Sequence, residues 1–244
     1  MITQVKSELL KIRSTRTTIG LLLGLVALEV LVTLLTGIVG SSRFLITEQD
    51  QNSLLGNGGL AGVFSALAGI MLVTSEYRYG TIRPTFLVTP MRGRVLWAKT
   101  AAGAFAGLVF GVIGEGLVLA IGLVILKARG VPISMSGANF TLLICGTVGG
   151  VALFGAFGVG LGAIVKNQVG AVVALLAWGF VAENLLFQFV PSVGRFLPVH
   201  DLQSMTGDTT THFLAPAAAT SAMMLWAAAL SYGGLQLCKR RDVG

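Results

Sequence analysis

Three carboxylates stand in apolar surroundings that give them no evident partner. Glu29, Glu115 and Glu183 each fall in the middle part of a long aliphatic run, and no Lys or Arg lies at comparable depth to neutralise them. An ionised carboxylate at the centre of a bilayer costs on the order of +2.5 to +3.5 kcal/mol even on lenient insertion scales. Each must therefore face a bundle interior, be protonated or hold a cation. Read functionally, the three are substrate-path candidates and favour a cationic or amphipathic substrate. Read structurally, each is a protonated glutamic acid bonded to a neighbouring helix.

The second polar feature is "SEYRYGTIRPTFLVTPMRGRVLWAKT", residues 75–100, which sets Arg78, Arg83, Arg92, Arg94 and Lys99 against a single acid, Glu76. Other chemistry has little support. The chain has no G-x-x-x-x-G-K-[ST] loop and no Gly-Lys pair, so it cannot cradle a nucleotide phosphate in the usual way. His200 and His212 have no neighbouring histidine at ligand spacing, and neither H-E-x-x-H nor G-x-S-x-G occurs, which disfavours an intramembrane enzyme. Cys145 and Cys238 suggest no disulfide framework and read as packing residues.

The elements that must carry these residues follow from composition. The 244 residues are 54% hydrophobic and 11% charged, with a mean hydropathy of +0.84, which a domain facing water on all sides would not tolerate. A spanning helix needs about 20 apolar residues, and six such runs can be cut: 19–40, 54–75, 96–126, 140–165, 169–190 and 217–237. A β-barrel would alternate in segments of about ten residues, whereas these runs are continuous. The expected fold is an all-α integral membrane protein with six transmembrane helices, a single domain over residues 1–244. The first run is too long for a signal-peptide core and no small-x-small cleavage site follows, so it is read as a retained helix.

Six spans put both basic termini on one side, which the positive-inside rule makes the cytoplasm. All of the 17 Lys and Arg except Arg43, Lys127, Arg129 and Arg195 then lie inside, so the net charge of +7 is a topology signal and not a nucleic-acid footprint. Ahead of the first span, Ile2, Val5, Leu9 and Ile12 repeat at helical steps with Gln4, Lys6, Glu8 and Lys11 on the other faces. That pattern describes an amphipathic interfacial helix over residues 1–17, lying at the inner headgroups. Residues 191–216 mix Phe196, Leu197, Val199 and Leu202 with Pro198, His200 and Asp201, and are expected to form an outer-leaflet re-entrant segment that caps the bundle. No internal repeat is visible.

Within the cytoplasmic coupling region, residues 76–94, Gly80 can end the second span and Thr81 can cap a new helix whose first turn tolerates Pro84. Thr89 and Pro90 repeat the device. Residues 82–88 then span about two turns, or ~10 Å, and form a short knuckle between stiff helices. The third helix, residues 90–126, extends roughly 55 Å, well beyond the ~30 Å hydrocarbon core. Two long helices joined by a rigid basic knuckle make a lever.

The pattern Glu76, Arg78, Gly80, Thr81, Arg83, Pro90, Arg92 and Lys99 resembles the permease subunit of bacterial ATP-binding cassette exporters of the type-2 permease family. The amphipathic start, the six spans and the capping segment are similar too. The resemblance implies that the knuckle is a coupling helix docking on a separate ATP-binding subunit, with Glu76, Arg78, Gly80, Thr81 and Arg83 at or near the contact. It further implies a second permease chain, read as a homodimer, with ATP and magnesium held by the partner ATPase subunit and no cofactor in this chain. The location implied is the bacterial inner membrane. The substrate would be a hydrophobic, amphipathic or cationic compound, such as a drug, antibiotic or peptide, moved outward. The alternative is an ion-coupled secondary transporter or channel that uses the membrane-embedded glutamates.

Gly103, Gly107 and Gly111, then Gly146 and Gly150, then Gly158 and Gly162 follow small-x-x-x-small spacing and are read as close helix packing. Trp178, Phe180 and Phe187 are read as lipid or core contacts, and Met223 and Met224 as core.

Overall fold

The computed structural model describes residues 2–39, 45–82, 84, 91–207 and 213–240. These form helices and turns, with no strand among the described residues. Helix α1 is Ile2–Ser14, α2 Arg16–Val39, α3 Glu48–Leu55, α4 Ala61–Arg78, α5 Arg92–Ala128 and α6 Gly137–Val165; α7 Gln168–Ala177, α8 Glu183–Phe189, α9 Pro191–Gly194, α10 Pro198–Met205 and α11 Pro216–Arg240 complete the chain.

Among the described residues, five helices are long and apolar enough to cross a membrane: Arg16–Ile38, Glu48–Arg78, Gly93–Ala128, Gly137–Val165 and Gln168–Phe189. The run expected as the sixth forms a helix of 25 residues, but Thr220, Ser221, Ser231, Tyr232 and Gln236 dilute its apolar content and it stands outside the five. The second run starts earlier than its apolar residues suggest. Thr47 caps α3 by accepting the Asp50 N–H, and the sequence Gly-Asn-Gly-Gly-Leu then tightens into a 3-10 turn, Gly56–Leu60, that leads into α4.

Helix α5 has 37 residues, about 55 Å at 1.5 Å per residue. The expected caps at Thr89 and Pro90 fall outside the described residues, as do Arg83 and the rest of the knuckle apart from Ile82 and Pro84. The fourth span starts on Ser136, whose side chain accepts the Asn139 N–H, and ends at Lys166 in the left-handed region at φ 59°. Asn167 at once caps α7, so Lys166 and Asn167 alone reverse the chain. The fifth span is not one regular helix. A π-helical segment, Trp178–Ala182, separates α7 from α8, and Asn184 Nδ2 donates to the carbonyls of Gly179 and Phe180 at 3.2 and 3.1 Å.

Helices α4, α5, α6 and α11 pack together at the centre, whereas α2 and the α7–α8 span flank them. The glycine spacing explains the close centre. A Cβ on Gly158 would stand 2.1 Å from Ala66 O, one on Gly107 2.5 Å from Val151 O and one on Gly103 2.6 Å from the Val159 side chain. Small residues here let backbones meet. Helix α10 folds onto α6: a Cβ on Gly146 would lie 1.9 Å from Met205 O, and one on Gly150 2.2 Å from Leu202 Cδ1. Pro198, His200, Asp201, Leu202, Ser204 and Met205 of α10 are buried by this packing. Both cysteines are free thiols.

Candidate functional site

The polar residues gather in three places along the bundle. At the base, α1 brings Glu8 and Lys11 against Glu76 at the end of α4 and Lys99 in the second turn of α5. Lys99 Nζ donates to Glu8 Oε2 at 2.8 Å, to Glu76 Oε1 at 2.8 Å and to Leu72 O at 3.2 Å. Lys11 Nζ lies 3.0 Å from Glu8 Oε1 and 2.7 Å from Glu76 Oε1. Lys99 is 2% exposed, the most enclosed cation of the described residues, and Glu8 and Glu76 are 5% exposed each. Two ammoniums and two carboxylates balance, and this is the condition under which buried charges persist. Leu9 and Ile12 pack beside them on Leu72, Val73 and Leu96. Helix α1 is therefore clamped to the bundle by charge as well as by its apolar face.

Glu76, expected at or near a partner contact, and Glu8, expected on the polar faces of α1, are both interior. Arg78 is exposed, with its guanidinium 3.2 Å from Gln168 Oε1 and 5.6 Å from the Tyr79 ring centre. Gly80 takes φ +68° with open space around its Cα, a conformation that Gly adopts without steric penalty. Thr81 is exposed beside it, and Arg83 lies outside the described residues. Arg78, Gly80 and Thr81 thus mark a surface at the end of α4, held by the ion cluster behind it.

In the middle, Glu29 of α2 and Glu115 of α5 are brought together. They are 0% and 1% exposed, and each lies within reach of the other's charge. By strict geometry none of their four carboxyl oxygens completes a hydrogen bond among the described residues, and their nearest polar contacts are the Ala61 backbone for Glu29 and Thr147 for Glu115. Two glycines make room for them. A Cβ on Gly114 would stand 2.6 Å from Glu29 Oε1, and one on Gly58 2.2 Å from Glu115 Oε2.

Glu183 belongs elsewhere. It opens α8, is 1% exposed, and its Oε2 accepts the Val199 N–H at 2.8 Å. His200 Nδ1 lies 3.8 Å from that oxygen, and its ring stacks on Phe187 with centres 4.2 Å apart. Asp201 follows on α10, fully buried and with neither oxygen hydrogen-bonded among the described residues. Burial first, and the Glu183 charge second, push the Asp201 carboxyl up to about 8. This group therefore ties the fifth span to α10.

Two cavities flank the π-helical segment. One of about 280 Å³ is lined by Gly56, Asn57, Gly59, Asn184, Gln203 and apolar neighbours. Another of about 210 Å³ is walled by Phe154, Phe157, Trp178 and Trp226, with Glu183 at its edge. No group of three or more His, Cys, Asp or Glu among the described residues is placed to hold a metal ion.

Sequence reasoning missed Lys99 as the hub of the lower cluster, and it missed Asp201. The i, i+3 spacing of Glu8 and Lys11 was a usable signal, because an acid on an otherwise basic helix that must pack somewhere invites a buried cation. Nothing local marks Lys99 as different from the four arginines before it. No protein-family model matches the chain, and no curated protein matches it.

Proposed function

We propose that the chain is the transmembrane permease subunit of an ATP-driven exporter, forming the path for a hydrophobic, amphipathic or cationic compound and coupled at its cytoplasmic end to a separate ATPase subunit. In this reading α11 is the sixth span and both termini are cytoplasmic. A second permease chain completes the path, and the assembly sits in a bacterial inner membrane.

The observation that carries the reading is the ion cluster of buried Glu8, Glu76 and Lys99 with Lys11 at its exposed edge. It joins α1, α4 and α5 into one rigid base directly before the exposed Arg78, Gly80 and Thr81. A partner that pushes on a flexible loop moves only the loop, whereas one that pushes on this base moves two spans and the interfacial helix together. The length of α5, at 37 residues, fits a lever reaching below the bilayer.

The test is affinity purification of the chain in mild detergent from its native membrane, with identification of co-purifying proteins and an ATPase assay. A stoichiometric partner with a P-loop, turning over ATP in the complex, is expected. A chain recovered alone from several detergents overturns the reading.

A second reading, an ion-coupled secondary transporter or channel, is favoured by the Glu29–Glu115 pair, which has no cationic partner among the described residues. It differs in requiring an ion gradient and no ATPase, so transport that survives ATP depletion and stops when the gradient is collapsed would select it.

A further inference from the structure

The Glu29–Glu115 pair has more around it than two acids. Thr147 of α6 is 0% exposed and turns its hydroxyl on the Glu115 carboxyl, a contact too loose to complete a hydrogen bond by strict geometry. Thr33 lies one turn beyond Glu29 on the same helix face, also 0% exposed, and its Oγ1 has no bond among the described residues. Four carboxyl oxygens and two hydroxyls thus sit in a dry part of the bundle among four elements: α2, the turn Gly56–Leu60, α5 and α6.

The helices packed here bring no positive charge to them. On α2 the other charged residue is Arg16 at the start, on α4 they are Glu76 and Arg78 at the end, and α6 and Gly56–Leu60 have none. On α5 the nearest are Lys99 and Lys127, about 24 and 18 Å away along the helix at 1.5 Å per residue. On α3, Glu48 and Asp50 are acidic and lie at its start; on α11, Lys239 and Arg240 lie at its end. Two adjacent ionised carboxylates without a counter-charge repel each other as well as resisting burial. Hydroxyl and carboxylate oxygens are the donors that hard cations choose.

A cavity lies close by. Gly56, Asn57, Gly59 and Leu60 line the larger outer cavity, while Gly58 between them is the residue pressed against Glu115. One short 3-10 turn is therefore the wall between cavity and carboxylates, and such turns are frequent at hinges.

We propose that Glu29 and Glu115, with Thr33 and Thr147, form one site for a small monovalent cation, a proton or Na⁺, reached from the outer cavity past the turn Gly56–Leu60. The site is independent of the exporter reading: occupancy can be measured on the chain without any ATPase, and failure here leaves the coupling assignment untouched.

The experiment is infrared spectroscopy of the purified chain in lipid at neutral pH, first without sodium and then with increasing NaCl, alongside radioactive sodium binding. With the Asp201 contribution removed by carrying Asp201→Asn in every sample, the expected result is a protonated-carboxyl absorption that falls by half or more in Glu29→Gln and in Glu115→Gln, vanishes in the double variant and persists in Glu183→Gln. If Na⁺ abolishes the band and binds saturably, the site takes sodium in place of the proton. If the band ignores Na⁺, the site takes the proton alone. Both support the proposal. Thr147→Val keeps both carboxylates and should shift the band, which provides a readout should the double variant fail to assemble. Absence of both the band and sodium binding in the parent Asp201→Asn chain, or a band unchanged in every one of these variants, overturns it.

Discussion

Lys99 and Glu8 stand 91 positions apart in the chain, and their side chains meet at 2.8 Å inside the bundle. The pair fixes α1 to α5 and, through Glu76, to α4. Removing one member of a buried pair is costly because the other is left uncompensated, typically by about 3–5 kcal/mol. Lys99→Met should therefore lower the melting temperature sharply in detergent. The triple variant Glu8→Leu, Glu76→Leu, Lys99→Met should recover much of the loss, because it leaves only Lys11, which can turn to solvent. A triple variant no better than Lys99→Met would show that the cluster acts by its packing volume rather than its charge.

Lys11 gives the same cluster a pH signature. Partial burial pulls its ammonium down, but the hydrogen bonds to Glu76 and Glu8 and their charges outweigh this and raise it above 10.5. A group raised on folding stabilises fully below its unfolded value and loses that contribution as pH passes through the folded one. Stability should thus fall more steeply above pH 10.5 in the wild type than in Lys11→Met, as read from melting curves at stepped pH.

Helix class and the central packing were legible because their causes are local. Continuous apolar runs leave a helix as the economical way to satisfy backbone groups in lipid, and the spacing of Gly103, Gly107, Gly158 and Gly162 marks the face that a neighbour can approach. The pairing of Glu29 with Glu115 was not legible, since it depends on which faces of α2 and α5 turn toward each other. The same holds for Glu76. Its motif position suggested a surface contact, and only the fold reveals that Lys99, two spans' ends away, draws it inward. The π-helical segment also escaped notice, because Trp178, Gly179 and Phe180 differ little in composition from the α-helical residues before them.

Arg78 separates coupling from folding. It is exposed and bonds the Gln168 side chain, so Arg78→Ala should change the melting temperature little, within the ±0.5 kcal/mol usual for surface sites. In the exporter reading it should still reduce recovery of the ATPase partner at least several-fold. Pull-down yields from matched membranes decide the matter. Undiminished recovery would remove Arg78 from the contact.

Gly158 tests the packing of the bundle centre. An added methyl group would meet Ala66 O at 2.1 Å and Ala66 Cα at 2.7 Å, both backbone atoms that cannot rotate away. Overpacking of this kind costs about 1–3 kcal/mol. Gly158→Ala should destabilise by that amount or more, whereas Gly116→Ala, where nothing lies within 4 Å, should be neutral or slightly stabilising through helix propensity. Equal effects at the two sites would place α4 and α6 further apart than described.

Asp201 sets an opposite pH trend at the outer end. Its carboxyl is fully buried and raised from 3.8 to about 8, chiefly by that burial and then by the Glu183 charge. Between those two values the unfolded chain releases a proton that the folded chain keeps, so the folded state binds more protons and stability must fall as pH rises. The fall should begin near pH 4 and level off above about 8. Asp201→Asn has no proton to lose, so it should flatten this part of the profile and be the more stable form at pH 8, by up to several kcal/mol if the whole shift is expressed. His200, 3.8 Å from Glu183, remains in the variant, so the difference between the two profiles isolates the carboxyl. Parallel profiles would mean that Asp201 is ionised in the folded protein, and the contact between α10 and the fifth span would then need a cation to hold it.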